Sequence, residues 1–141
     1  MKIKEASGHR AEIIALLATE KLPTKDLHFE LDHFLVAEEN GTIVGVAGLE
    51  IYENNGLLRS VAVDAAFRNK NIAGELLKKI EDLAVSKGLQ AIYLLTETAP
   101  DYFIKKDYLK TERSEVPPAM QQSSEFSFVC PQSAILLKKE I

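Results

Sequence analysis

One cysteine, Cys130, stands among 141 residues, so an intrachain disulfide is excluded. The chain has neither an HExxH nor a CxxC pattern, and His9, His28 and His33 do not combine with that cysteine at a metal-ligand spacing. No metal is therefore expected. A surplus of basic charge is also missing: 17 Lys and Arg face 21 Asp and Glu, a formal net charge of -4. That balance gives no electrostatic source for a nonspecific grip on nucleic acid or on an anionic membrane surface. No apolar run approaches the roughly 18 residues needed to span a bilayer. The opening MKIKEASGHR contains no apolar stretch leading to a small-residue cleavage site, which makes the cytoplasm the expected location. What is present is 46% apolar and 27% charged residues at a length typical of one compact domain, so residues 1–141 are expected to form a single domain.

The order of elements follows from periodicity and turn chemistry. Lys2 to Glu5 reads as a strand. Ala11 to Glu20 reads as a helix, with Ile13, Ile14, Leu16 and Leu17 at helical spacing and Pro23 beyond its end. His33 to Glu38 and Thr42 to Glu53 flank Asn40-Gly41, a pair suited to the positive φ angles of a type I′ hairpin turn. Asn54-Asn55-Gly56 carries a second turn signal, followed by a strand at Leu57 to Val63. From Ile72 to Ser86, the residues Ile72, Leu76, Leu77, Ile80, Leu83 and Ala84 form one helical stripe closed by Gly88. A strand at Ala91 to Leu95 and a short helix at Ala99 to Lys106 come next, the helix carrying Pro100 near its start. Strands at Tyr108 to Thr111 and Ala134 to Lys138 complete the series. Between them, Glu112 to Ser133 is rich in Ser, Gln and Pro and reads as a long loop, either a functional flap or a surface segment.

The stretch from Leu57 to Leu77, LLRSVAVDAAFRNKNIAGELL, joins an apolar strand to the best helix through a basic, amide-rich loop. The first N–H groups of a helix lack partners within it, and its dipole is positive at that end, which favours a phosphate or pyrophosphate. Arg68 and Lys70 add positive charge there, and Ala73 and Gly74 let an anion approach the backbone. On spacing alone, a pyrophosphate cradle and a plain strand-to-helix turn are equally good readings.

Val63 to Leu77 resembles motif A of the GNAT superfamily of acetyl-CoA-dependent N-acetyltransferases, in which an apolar strand and turn precede R-x-x-G-x-G/A at the start of a long helix. Arg68 and Ala73 match that pattern, while Asn71 takes the place of the first glycine. After Gly, Asn best tolerates the left-handed backbone that such a position requires. Ala91 to Lys110, AIYLLTETAPDYFIKKDYLK, is similar to the family's next strand and helix, and the element order matches over nearly the whole chain. More narrowly, Leu57 to Val63, Tyr93 to Thr96, Glu125-Phe126, Cys130-Pro131 and Ser133-Ala134 resemble the arsenic-resistance N-acetyltransferases within GNAT.

The resemblance implies an α/β (α+β) fold with a mixed, mostly antiparallel central sheet, helices on both faces, and strands splayed at the cofactor site. It implies acetyl-CoA as co-substrate and a small-molecule amine as acceptor, with Val61, Ala62 and Val63 bonding the pantetheine arm through their backbone. A backbone N–H, that of Val61, would stabilise the oxyanion. Arg68, Asn69, Lys70, Asn71, Ile72, Ala73 and Gly74 would hold the pyrophosphate. Glu50 is the candidate base, directly or through water, or else a solvent-facing strand glutamate. Phe103 stands where the family presents a tyrosine acid, so either Tyr102 or Tyr108 supplies the proton, each with structural packing as its alternative, or the thiolate is protonated by water. Strand alternation places Arg59 on a face with Leu57, Val61 and Val63, either as reader of an anionic group on the substrate or in an internal ion pair with Glu50 or Glu53. A homodimer is the assembly the family suggests. A noncatalytic acyl-CoA-binding or regulatory domain is the competing function.

Overall fold

The structure is a computed structural model and describes residues 1–22, 24, 27, 31–97, 99–121 and 134–141. Its strands are β1 (Lys2–Glu5), β2 (Phe34–Glu39), β3 (Thr42–Tyr52), β4 (Asn55–Val63), β5 (Ala91–Thr96), β6 (Leu109–Lys110) and β7 (Ile135–Glu140). Its helices are α1 (Arg10–Thr19), α2 (Ile72–Ser86), α3 (Pro100–Ile104) and α4 (Pro118–Gln121). The strands form a seven-stranded sheet in the order β1-β2-β3-β4-β5-β7-β6. β1 with β2, β2 with β3, β5 with β7 and β6 with β7 are antiparallel, and β4 with β5 is parallel. No helix among the described residues is long and apolar enough to cross a membrane.

The chain divides into two compact units, one of Met1–Leu49 and Arg59–Leu83, the other of Glu50–Leu58 and Ala84–Ile141. In the first, α1 turns Ile13, Leu16 and Leu17 onto Phe34, Val36, Ile43, Val46 and Ala62, and Ala6 and Leu27 join the same core. Burying apolar surface here contributes about 25 cal/mol per Å² removed from water. The hairpin between β2 and β3 turns at Asn40 and Gly41, both left-handed with φ of 51° and 82°, as a type I′ turn requires. Phe34 stands opposite Gly48 in that ladder. Gly45 lets α2 close onto β3: a Cβ there would lie 3.1 Å from Ile72 Cγ2 and 3.1 Å from Leu76 Cδ1.

In the second unit, Leu57, Ala91, Tyr93 and Leu136 pack with Val116 and Met120. Those last two residues come from the stretch expected to be a loop. Its described part, to Gln121, instead makes a 3-10 turn at Arg113–Glu115 and the short helix α4, because Val116 and Met120 have an apolar core to enter. The end of α2 is closed by Gly88, with φ of 74°, whose N–H donates to Val85 O at 3.0 Å while that of Leu89 donates to Ala84 O at 3.0 Å. The second turn falls earlier than its sequence signal. Glu53, with φ of 57°, and Asn54 make it, while Asn55 and Gly56 belong to β4 and register with Ala91 and Ile92.

Candidate functional site

The parallel ladder takes in Asn55, Gly56 and Leu57 of β4, and the strand runs on past it to Val63. Inside that run, Ser60 has a φ of 58°. A left-handed residue within a strand breaks the pleat, so the two-residue alternation expected to put Arg59 on one face with Val61 and Val63 does not continue through it. Burial shows the break: Arg59 and Ala62 are buried, whereas Val61 and Val63 are half-buried. Arg59 is 3% exposed, the one buried charged side chain among the described residues, and its Nε–H donates to Ser60 Oγ at 3.1 Å.

After β4 the chain makes one 3-10 turn at Ala65–Phe67, capped by Asp64, whose carboxylate accepts from the N–H of Ala66 at 2.9 Å. The loop to α2 then uses two left-handed asparagines, Asn69 with φ of 65° and Asn71 with φ of 59°. Asn71, where the resemblance places a glycine, thus takes the left-handed backbone expected of that position. Asn71 O accepts from Glu75 N–H at 3.1 Å, which starts the helical ladder.

Two contacts bear on the expectations about this loop. The Gly74 surface that was to admit an anion faces the Asn71 side chain: a Cβ on Gly74 would lie 2.2 Å from Asn71 Oδ1. The chain thus sets its own amide oxygen over the third residue of α2. The positive charge at the mouth is also engaged, since the Arg68 guanidinium is paired with the carboxylate of Glu20 and Lys70 Nζ lies 5.0 Å from the centre of the Phe67 ring.

In the second unit, Glu50 Oε1 accepts from the Tyr52 hydroxyl at 2.9 Å. Helix α3 opens with the N–H of Ala99 donating to Thr96 Oγ1 at 3.1 Å and with Pro100 at its start, where a missing N–H costs nothing. Phe103 is buried, and both candidate tyrosines meet its ring edge-on, Tyr102 at 5.2 Å and Tyr108 at 5.8 Å between centroids. They differ in access. Tyr108 is fully buried, whereas Tyr102 is 37% exposed and Lys106 Nζ lies 5.7 Å from its ring centre. Partial burial raises the Tyr102 phenol above its ordinary value of 10.0, because the anion is the form that desolvation penalises.

The cofactor candidates Val61–Val63 and Arg68–Gly74 belong with Arg59 to the first unit, and Glu50, Tyr102 and Tyr108 to the second. Ser60, Glu20 and Tyr52 were not singled out from sequence. Only Tyr52 left a signal, standing two residues from Glu50 on the same strand. Cys130, His28 and residues 122–133 lie outside the described residues.

This order, a strand with a left-handed residue, a short turn, a loop with two left-handed asparagines and a long helix opening on Ala73 and Gly74, is accompanied by a direct family match: residues 8–105 match the acetyltransferase (GNAT) family. The chain belongs to the GNAT acetyltransferase family. Curated relatives include an amino-acid acetyltransferase of Aeromonas salmonicida, 25% identical over 100 residues, covering 70% of this chain and 23% of that protein. Another, from Pseudomonas fluorescens, is 30% identical over 95 residues, covering 66% of this chain and 22% of the relative. The chain thus spans less than a quarter of the length of these relatives. Among solved structures, an N-acetylglutamate synthase from Neisseria gonorrhoeae complexed with coenzyme A and N-acetyl-glutamate superposes with a TM-score of 0.80 at 17% identity, covering 99% of this chain and 34% of that one. A Staphylococcus aureus acetyltransferase of the GNAT family has a TM-score of 0.77 at 21% identity, with 99% and 98% coverage. The mixed, mostly antiparallel sheet is that of the GNAT fold.

Proposed function

We propose that the chain is an acetyl-CoA-dependent N-acetyltransferase acting on the amine of a small, amino-acid-like molecule that carries a further anionic group. The observation that carries this reading is the left-handed loop delivering the chain from β4 into the N-terminus of α2, within a segment that matches the GNAT family. The relatives named amino-acid acetyltransferases, and the solved neighbour that holds coenzyme A with N-acetyl-glutamate, support the choice of co-substrate and acceptor class. The residues at the helix mouth fit a pyrophosphate by their chemistry: a guanidinium, an ammonium and a glycine stand at the positive end of a 15-residue helix.

Acetyl-CoA supplies the reactive thioester, and the protein groups do the rest. The backbone of Val61–Val63 aligns the pantetheine arm as an added strand, and the N–H of Val61 polarises the thioester carbonyl. Glu50 takes a proton from the acceptor ammonium, so that the attacking nitrogen has a free electron pair. Tyr102 returns a proton to the departing sulfur, a role for which its access suits it better than the fully buried Tyr108. Arg59 reads the acceptor's anionic group. The same reading takes in the likeness of Leu57 to Val63 and Tyr93 to Thr96 to the arsenic-resistance acetyltransferases, action in the cytoplasm, and assembly as a homodimer.

A second reading, an acyl-CoA-binding module without turnover, is favoured by Asn71 over Gly74 and by Phe103 at the family's tyrosine position. Thiol release from acetyl-CoA, measured with and without a panel of amino acids and their phosphonate analogues, separates the two. Release that requires amine establishes the transferase; tight binding without release establishes the module. Absence of acetyl-CoA binding overturns both.

A further inference from the structure

Two of the chain's own acceptors stand near the start of α2. Asn71 Oδ1 stands 2.2 Å from the place of a Gly74 Cβ, and Gly74 is the third residue of α2. An oxygen carried there by the residue preceding a helix is where a side chain serves the helix's first unpartnered N–H groups. From a different element, Glu20, which follows α1, sets its carboxylate on the Arg68 guanidinium, with the Glu20 side chain only 17% exposed. An amide oxygen thus stands over Gly74 and a carboxylate engages Arg68, at two places whose chemistry suits a pyrophosphate.

We propose that Asn71 and Glu20 are built-in competitors of the cofactor's pyrophosphate and set the affinity for acetyl-CoA. The proposal rests on the acetyltransferase reading and adds to it the groups that regulate cofactor entry. Seating the pyrophosphate rotates the Asn71 carboxamide off Gly74 and exchanges the Glu20 carboxylate for phosphate oxygen at Arg68. No covalent bond changes. Asn71 is held in place by a local contact that any glycine would lack, so the left-handed backbone at 71 is kept by Asn71→Gly while the competitor is removed.

The test is calorimetric titration of acetyl-CoA, and of S-acetylpantetheine, which has no pyrophosphate, into the wild-type chain, Asn71→Gly, Asn71→Asp and Glu20→Gln. Asn71→Gly is expected to tighten acetyl-CoA binding by about 1.5- to twofold, the equivalent of a cap residue replaced by glycine. Glu20→Gln is expected to tighten it about two- to fivefold, the range of a partly exposed ion pair, with the gain shrinking as salt is raised. Asn71→Asp keeps the competitor and adds charge, and so weakens binding. S-acetylpantetheine binds all four alike. Binding of acetyl-CoA by the wild type with no tightening in Asn71→Gly or Glu20→Gln overturns the proposal, as does equal tightening of S-acetylpantetheine. Failure of the wild type itself to bind acetyl-CoA overturns the acetyltransferase reading and this proposal together. Glu20 belongs neither to α2 nor to its loop, so its variant decides the matter even where Asn71→Gly lowers stability.

Discussion

The ring of Phe34 lies against the bare Cα of Gly48 across the β2–β3 ladder, its nearest carbons only 2.4 Å from where a Gly48 Cβ would stand. Phe34 is 4% exposed and belongs to the core under α1, so its ring has nowhere to retreat. Gly48→Ala is therefore expected to destabilise the fold by about 1–3 kcal/mol, the cost of overpacking a close-packed interior. Urea denaturation measures it. A change below about 0.5 kcal/mol would mean that the ring moves freely, contrary to its burial.

Ser60 stores strain inside β4. A left-handed non-glycine residue costs on the order of 1–3 kcal/mol unless its surroundings repay it, and here the Arg59 Nε–H bond to Ser60 Oγ offsets part of that cost. Ser60→Gly is expected to leave stability unchanged or raise it by about 1 kcal/mol. Ser60→Val, with a β-branched side chain in the same backbone region, is expected to lose about 2 kcal/mol and most of the acetyl transfer, since straightening the strand re-aims the amides of Val61–Val63. Equal thermal stability of the two variants would show that φ at 60 is not a constraint.

Legibility in the sequence followed how local the physics is. The Asn40-Gly41 turn and α2 from Ile72 to Ser86 were readable because turn chemistry and a one-sided apolar stripe act within a few residues. The Asn54-Asn55-Gly56 signal misplaced its turn by about one residue, since Glu53, read as the end of a strand, carries no residue-type signal for the left-handed conformation it takes. Pairing of Asn55 and Gly56 with β5 decided it. At Asn71 the backbone conformation was legible from residue type, but the direction of the side chain over Gly74 was not. Glu20 and Arg68 stand 48 positions apart, and no periodicity links them. The face assigned to Arg59 failed beyond Ser60 because serine carries no sequence signal for a positive φ.

The two tyrosines around Phe103 are expected to separate on substitution. Tyr102→Phe should lower kcat by about a hundredfold, the scale of one general acid, with little change in KM. Tyr108→Phe should cost stability, its ring being fully buried, with a smaller effect on kcat. Because burial raises the Tyr102 phenol above its ordinary value, it is protonated at neutral pH, and proton donation should persist to higher pH than for a free tyrosine. The same direction fixes the linkage: the folded form holds this proton more tightly, so stability falls as pH rises from the unfolded value through the raised one. Steady-state rates from pH 7 to 10 check the first claim and thermal melts carried to higher pH check the second; unchanged kcat in Tyr102→Phe would remove it from the reaction.

Arg59 tests the acceptor. A guanidinium 3% exposed and donating through Nε to Ser60 Oγ is fixed in orientation. A reader of an anionic group needs its planar, forked donors, which lysine cannot reproduce. Arg59→Lys should therefore raise KM for an amino-acid acceptor at least tenfold while leaving the Kd of acetyl-CoA within about twofold. An acceptor lacking the anionic group should react at similar, low efficiency with both forms. If instead Arg59 serves an internal ion pair, the variant loses stability and affinity for both substrates in parallel. A thermal melt run beside the two titrations tells these outcomes apart, because only recognition of the acceptor confines the loss to one ligand and to one functional group upon it.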